Sequence, residues 1–139
     1  MELAGLTSPE VAELAAAGAL LAVPVGSTEQ HDPHLALSTD TDLAVALCAR
    51  LARARSDVVV APALHYGSSG EHQDFAGTLS IGQAALDLVL VELGRSATQT
   101  FRRILLVSTH GGNAETARRA EQRLRAEFNS AIQNWWGAA

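Results

Sequence analysis

Three short, unbroken apolar runs stand out along the chain: Ala19 to Val25, Val58 to Ala61, and Ile104 to Val107 inside the segment Arg103 to Val107. A short bounded run of this kind predicts a strand buried on both faces, as in a parallel sheet. Between the runs the apolar positions recur every three or four residues, which predicts amphipathic helices. Ser8 as N-cap, Pro9 at the first helical position and Glu10 in the first turn start one helix, which Gly18 ends. A second runs from Thr39 to about Arg55, with Val45, Cys48, Ala49 and Leu51 or Ala52 facing inward. Ser80 and Gln83 have capping-box spacing and open a third, to about Thr98, with Leu86, Val89, Leu90 and Leu93 as its stripe. The fourth spans Ala114 to Glu127, with Asn113 as N-cap. Strands alternating with helices predict an α/β fold, a three-layer sandwich with a mostly parallel sheet. Residues 1–128 read as one domain, and 129–139 as an irregular tail without a clear period. Three strands are few for such a sheet and leave an edge open.

Composition narrows the function. A length of 139 residues fits one domain, and the net charge of −5 without a basic cluster excludes a nucleic-acid binder. The single cysteine, Cys48, excludes a disulfide framework and a cysteine zinc knuckle, and reads as core packing. No apolar stretch approaches the roughly 20 residues needed to cross a bilayer, so no membrane role is expected. Met1-Glu2-Leu3-Ala4 lacks the basic start of a signal peptide, and the expected location is cytoplasmic.

The chemistry lies after the strands. All five histidines follow one: His31 and His34 the first, His65 and His72 the second, His110 the third. Ligands in open α/β sheets bind outside the carboxyl ends of the strands, so the five can converge on one edge. In an extended segment Glu29 and His31 point to the same side, and Asp40 can turn back toward them from the next helix. Glu29, His31, Asp40 and His110 would then form a metal cluster suited to Zn(II), Mn(II) or Fe(II). Such an ion makes a nucleophile of water. Helix capping is the rival role for Asp40 and Asp42. The Gly-rich segment 67–78 carries Glu71 and His72, candidates for substrate positioning or proton transfer. His110-Gly111-Gly112-Asn113 lacks the Lys and Ser/Thr of a phosphate loop, which disfavours a nucleotide.

Three ordered motifs carry a resemblance. They are Gly26-Ser27-Thr28-Glu29-Gln30-His31-x-Pro33-His34-Leu35 followed by Thr39-Asp40-Thr41-Asp42, then the segment from Gly67 to Gly82 with Ser69-Gly70-Glu71-His72-Gln73 and Gly77-Thr78, and finally His110-Gly111-Gly112-Asn113. Over about residues 8 to 127 the chain resembles the creatininase family. The wording of the second motif is most similar to a peptide-trimming branch that removes a C-terminal Val-Tyr dipeptide from a modified precursor peptide. The resemblance implies an α/β sandwich, a homo-oligomer and a metal site of Glu29, His31, Asp40 and His110, acting on a peptide or a small amide. A small-molecule amidohydrolase or deformylase, and an inactive metal-binding fragment, remain the alternatives. Creatinine-hydrolysing members carry a glutamate where Gly112 stands, which counts against creatinine as substrate. Asp32 replaces a usual glycine, Ala76 a usual proline, and Ser108-Thr109 a usual Asn-Gly. Family chains continue well past the point where this one stops, so a C-terminally truncated chain and an incomplete fold are expected.

Overall fold

A computed structural model describes residues 1–128 and 131–136, with side chains up to residue 128. Four helices alternate with four strands: α1 Ser8–Ala16, β1 Leu20–Val25, α2 Thr39–Ala54, β2 Val58–Val60, α3 Gly82–Thr98, β3 Arg103–Ser108, α4 Ala114–Phe128 and β4 Ala131–Trp136. The strands form one parallel sheet in the order β2-β1-β3-β4, with Leu21 beside Val59 and Ile104 in the central register. The α/β expectation holds. The irregular tail does not: residues 131–136 add a fourth strand along β3, from Arg103↔Ala131 to Ser108↔Trp136. Ala-Ile-Gln-Asn-Trp-Trp has neither alternation nor an unbroken apolar run, so its strand character comes from β3's free edge rather than from its own pattern.

Two apolar layers sandwich the sheet. On one face Leu21, Val23, Val25, Val59, Ile104 and Leu106 pack against Leu86, Leu90 and Val91 of α3 and Ala117, Ala120 and Leu124 of α4, with Val11 and Leu14 of α1 at the margin. On the other, Ala22, Val58, Val60 and Val107 meet Cys48, Leu51 and Ala52 of α2. Burial there pushes the Cys48 thiol up to about 12, with the charge of Glu2 adding to it, as suits inert packing. Among the described residues α2 is the helix that covers this face, and Leu105, Val107, Leu47 and Leu51 line an apolar groove of about 240 Å³.

Several local expectations shift. The cap of α1 is Thr7, one residue earlier than Ser8, with its N–H donated to Glu10 at 2.7 Å. Ala44 turns inward on α2, and Val45 faces out. On α3, Leu86 and Leu90 are buried while Val89 and Leu93 are exposed, and Val91 and Gly94 take their places. Ser80 makes no capping box. Its hydroxyl accepts the N–H of Ser69 at 2.9 Å and of Gly82 at 3.2 Å, tying the 67–78 segment to the start of α3.

The carboxyl ends of β1 and β3 sit where the strand order reverses, since β2 lies on one side of β1 and β3 on the other. This is where an open α/β sheet leaves a crevice. Gly26, just past β1, is what lets α2 close on it: a Cβ there would stand 2.1 Å from Thr41 Oγ1 and 2.5 Å from Thr41 Cα. The Thr41 hydroxyl then donates to the Ser27 carbonyl at 3.0 Å, seating the first turn of α2 at the crevice. Among the described residues no helix is long and apolar enough to cross a membrane.

Candidate metal centre

Glu29 and His31 come from the segment after β1, Asp40 from the first turn of α2, and His110 from the end of β3. They meet in a cleft of about 500 Å³, whose lining also includes Gln30, Asp32, Glu71, His72, Thr109 and Gly111. Two carboxylates are buried here, with Glu29 2% and Asp40 5% exposed. Among the described residues no lysine or arginine reaches either; their nearest cationic partners are histidines. Paired burial of that kind is unfavourable unless a cation answers it.

The distances divide the carboxylate of Asp40 between two imidazoles. Its Oδ1 lies 3.1 Å from His31 Nε2, and its Oδ2 3.2 Å from His110 Nδ1. Glu29 Oε1 stands 3.2 Å from His110 Nδ1 and 3.8 Å from His31 Nε2. Ligand atoms about 2.0–2.2 Å from one tetrahedral ion are about 3.4 Å apart, so these separations suit donors awaiting a metal. Glu29, His31 and Asp40 can offer one atom each within 4.8 Å of one another. Glu29 Oε2 is buried without any hydrogen-bond partner. A buried oxygen left in that state normally costs about 1–3 kcal/mol or more, which a bound cation removes. The residues present therefore fit a divalent ion.

The outer atoms of the ligands are held. His110 Nε2–H donates to the Ser68 carbonyl at 2.8 Å, and His31 Nδ1–H to the Glu29 carbonyl at 3.1 Å, which leaves Nδ1 of the first and Nε2 of the second facing inward. The Ser27 hydroxyl donates to Asp40 Oδ2 at 2.6 Å. Burial alone would push His110 down and Asp40 up. The hydrogen bond between them reverses both, helped by the Ser68 carbonyl and Glu29 for the histidine and by Ser27 and His31 for the aspartate. His110 ends above its ordinary pKa and Asp40 below.

Of the five histidines, His31, His72 and His110 converge, whereas His34 and His65 are exposed and stay outside the cleft. Both lie in long connections whose side chains a strand-end rule does not fix. Asp42 takes the capping role, accepting the Ser38 hydroxyl at 2.7 Å. Glu71 is half exposed at the mouth, with Oε1 3.8 Å from His110 Nε2. Asn113 is not a cap. Fully buried, it donates from Nδ2 to the Gly26 carbonyl at 2.9 Å and accepts Ser68 N–H at Oδ1 at 3.0 Å, joining all three motif segments. Its place in His-Gly-Gly-Asn between strand and helix suggested capping, and only tertiary contacts reveal the other use. Asp32 has φ +55°, the left-handed region that glycine enters freely and aspartate at modest cost, so the family's usual glycine there has a backbone reason.

The sequence and the fold are both similar to those of known proteins. A match to the creatininase family, described as creatinine amidohydrolase, covers residues 4–139. The mycofactocin precursor peptide peptidase of Mycolicibacterium smegmatis is 52% identical over 117 residues, 81% of this chain and 47% of that one. The crystal structure of a creatinine amidohydrolase superposes with a TM-score of 0.89 at 28% identity, over 97% of this chain and 57% of that one. A mutant creatininase described as a Zn-Zn type superposes at 0.88, with 27% identity and the same coverage. This chain thus spans about half the length of the curated relatives it matches. With the motif segments meeting at one metal-ready cleft and the family match running through nearly the whole sequence, the chain belongs to the creatininase family.

Proposed function

We propose that the chain is a metal-dependent hydrolase of a peptide amide bond, and that its substrate is the modified mycofactocin precursor peptide, from which it removes the C-terminal Val-Tyr dipeptide. The observation that carries this reading is the convergence of Glu29, His31, Asp40 and His110 on one open cleft, where one oxygen of the buried Glu29 carboxylate has no hydrogen-bond partner. These four residues would hold Zn(II), Fe(II) or Mn(II), as one or two ions. When bound, the metal supplies a water-derived nucleophile at neutral pH and polarises the amide carbonyl. The two oxygens of Asp40, one toward His31 and one toward His110, suit a bridging role. Ser27 and the Ser68 carbonyl keep Asp40 and His110 turned to the cleft. Glu71 and His72 border the cleft from the second motif, where they can position the substrate or take up a proton. The identity to the mycofactocin peptidase and the glycine at 112 favour a peptide over creatinine. A homo-oligomer in the cytoplasm completes the proposal, and exposed Leu43, Leu47 and Leu88 suit subunit contacts.

The test is release of Val-Tyr from the modified precursor, followed by mass spectrometry, with the chain stripped by chelator and reloaded with Zn(II), Fe(II) or Mn(II). Metal-dependent release of the dipeptide is the expected result. Hydrolysis of creatinine or a formamide instead would move the chain to the small-molecule branch, and metal uptake without turnover would mark it as a binding fragment.

A further inference from the structure

We propose that His72 is a third imidazole ligand of this metal centre, held in the required tautomer by Gln30. The inference rests on the metal reading above. Its starting point is Gly112, where creatinine-hydrolysing members carry a carboxylate. No side chain fits here: a Cβ on residue 112 would stand 2.1 Å from the Ser68 carbonyl oxygen and 2.5 Å from His110 Nε2. The third motif therefore adds nothing after His110, and the second motif reaches in from the other side. His72, on a 3-10 turn at Gly70–His72, brings Nε2 to 3.6 Å from Glu29 Oε1. That matches the separation of about 3.4 Å between two ligands of one tetrahedral ion.

The tautomer follows from the partner. Gln30 Oε1 can only accept, and it lies 3.3 Å from His72 Nδ1, so Nδ1 carries the hydrogen and Nε2 keeps its lone pair. In the neutral ring that lone pair faces a carboxylate oxygen across 3.6 Å, an arrangement that a cation between the two makes favourable. His31 and His110 show the same construction: the outer nitrogen donates to a carbonyl oxygen and the inner one faces Glu29 Oε1. Phe75, with its ring centre 6.2 Å from that of His72, flanks the imidazole. The histidines face Oε1, while Glu29 Oε2 is buried without a hydrogen-bond partner, so the carboxylate at their focus has an oxygen free to bind a cation.

The experiment is titration of the chelator-stripped chain with Co(II), read by calorimetry and by the visible absorption of the bound ion. His72→Ala is expected to weaken Co(II) binding at least about tenfold and to change the absorption bands, with added imidazole restoring both. Gln30→Leu, which frees the tautomer but keeps the ligand, should give a smaller loss. Asp74→Asn, on the same exposed segment, should match the wild type. Unchanged affinity and spectrum in His72→Ala would overturn the proposal while leaving the four-residue centre intact. Failure of the wild-type chain to bind Co(II) would overturn the metal reading itself.

Discussion

Asp40→Asn is expected to weaken metal binding by at least about 100-fold, since loss of a residue that only orients a ligand already costs 10–100-fold. The metal-free protein should melt at the wild-type temperature or a few degrees below it, because Asn keeps the shape but loses the charge attraction to His110 and His31. Three contacts of Asp40, with Ser27, His31 and His110, set this pair of outcomes. Ser27 donates to Asp40 Oδ2, and an asparagine oxygen accepts that bond equally well. His31 faces Oδ1 through Nε2, whose hydrogen-bonding role is acceptor once Nδ1–H has donated to the Glu29 carbonyl. An asparagine NH2 can donate to that nitrogen in the neutral ring, and the asparagine oxygen can still accept from His110, so the geometry is kept and the charge attraction is what is lost. The loaded states should therefore separate sharply. At a thousandfold excess over the dissociation constant a ligand stabilises by about 4 kcal/mol. For a domain of this size that is on the order of 15 °C in melting temperature, and the mutant should lose most of it. If Asp40 only capped α2, Asn would leave both readings near wild type, because Asn is an equally good cap.

Asn113→Ala should destabilise the metal-free protein by about 2–4 kcal/mol, or on the order of 10 °C in melting temperature. The side chain makes one molecular tie between the segments after β1, β2 and β3. Its Nδ2 donates to the Gly26 carbonyl, with a longer contact of 3.4 Å to the Ser108 hydroxyl, and its Oδ1 accepts Ser68 N–H. Truncation strands a buried carbonyl and a buried N–H. Gly67 packs directly on this amide, since a Cβ there would stand 2.6 Å from Asn113 Oδ1. Asn113→Asp is the sharper control. It preserves shape and the bond from Ser68 but turns the donor toward Gly26 into a second acceptor, so it should destabilise as much as alanine. Thermal melting of the stripped proteins, followed by circular dichroism, measures both variants. A loss within about 0.5 kcal/mol for both, the range of an ordinary surface substitution, would contradict the tie.

The strands β1, β2 and β3 were legible in the sequence because each is an apolar run buried on both faces, and the parallel sheet followed from their alternation with helices. β4 was not, because its pairing depends on the edge that β3 offers and not on its own pattern. The centre was legible to the extent that strand ends dictate it. Glu29, His31 and His110 lie just past β1 and β3, and Asp40 sits in the first turn of the helix that closes on Gly26. What the sequence hides is the outer layer. Ser27, Ser68, Gln30 and Asn113 are ordinary loop residues in a linear reading, and their work is done across separations of 13, 42, 42 and 87 positions. His34 and His65 obey the same strand-end rule as the residues that converge, yet point to solvent. Periodicity limits where a histidine can go, and the partner across the crevice decides whether it does.

The most direct test of the central claim is anomalous diffraction from crystals of the chain grown from chelator-stripped protein and soaked in Zn(II) or Mn(II). The account predicts a peak about 2.0–2.3 Å from Glu29, Asp40 and at least one of His31 Nε2 and His110 Nδ1, strong enough to refine as one ion or a pair sharing Asp40. A soaked crystal with no peak in the cleft between β1 and β3, or with its ion bound only elsewhere on the surface, would contradict it.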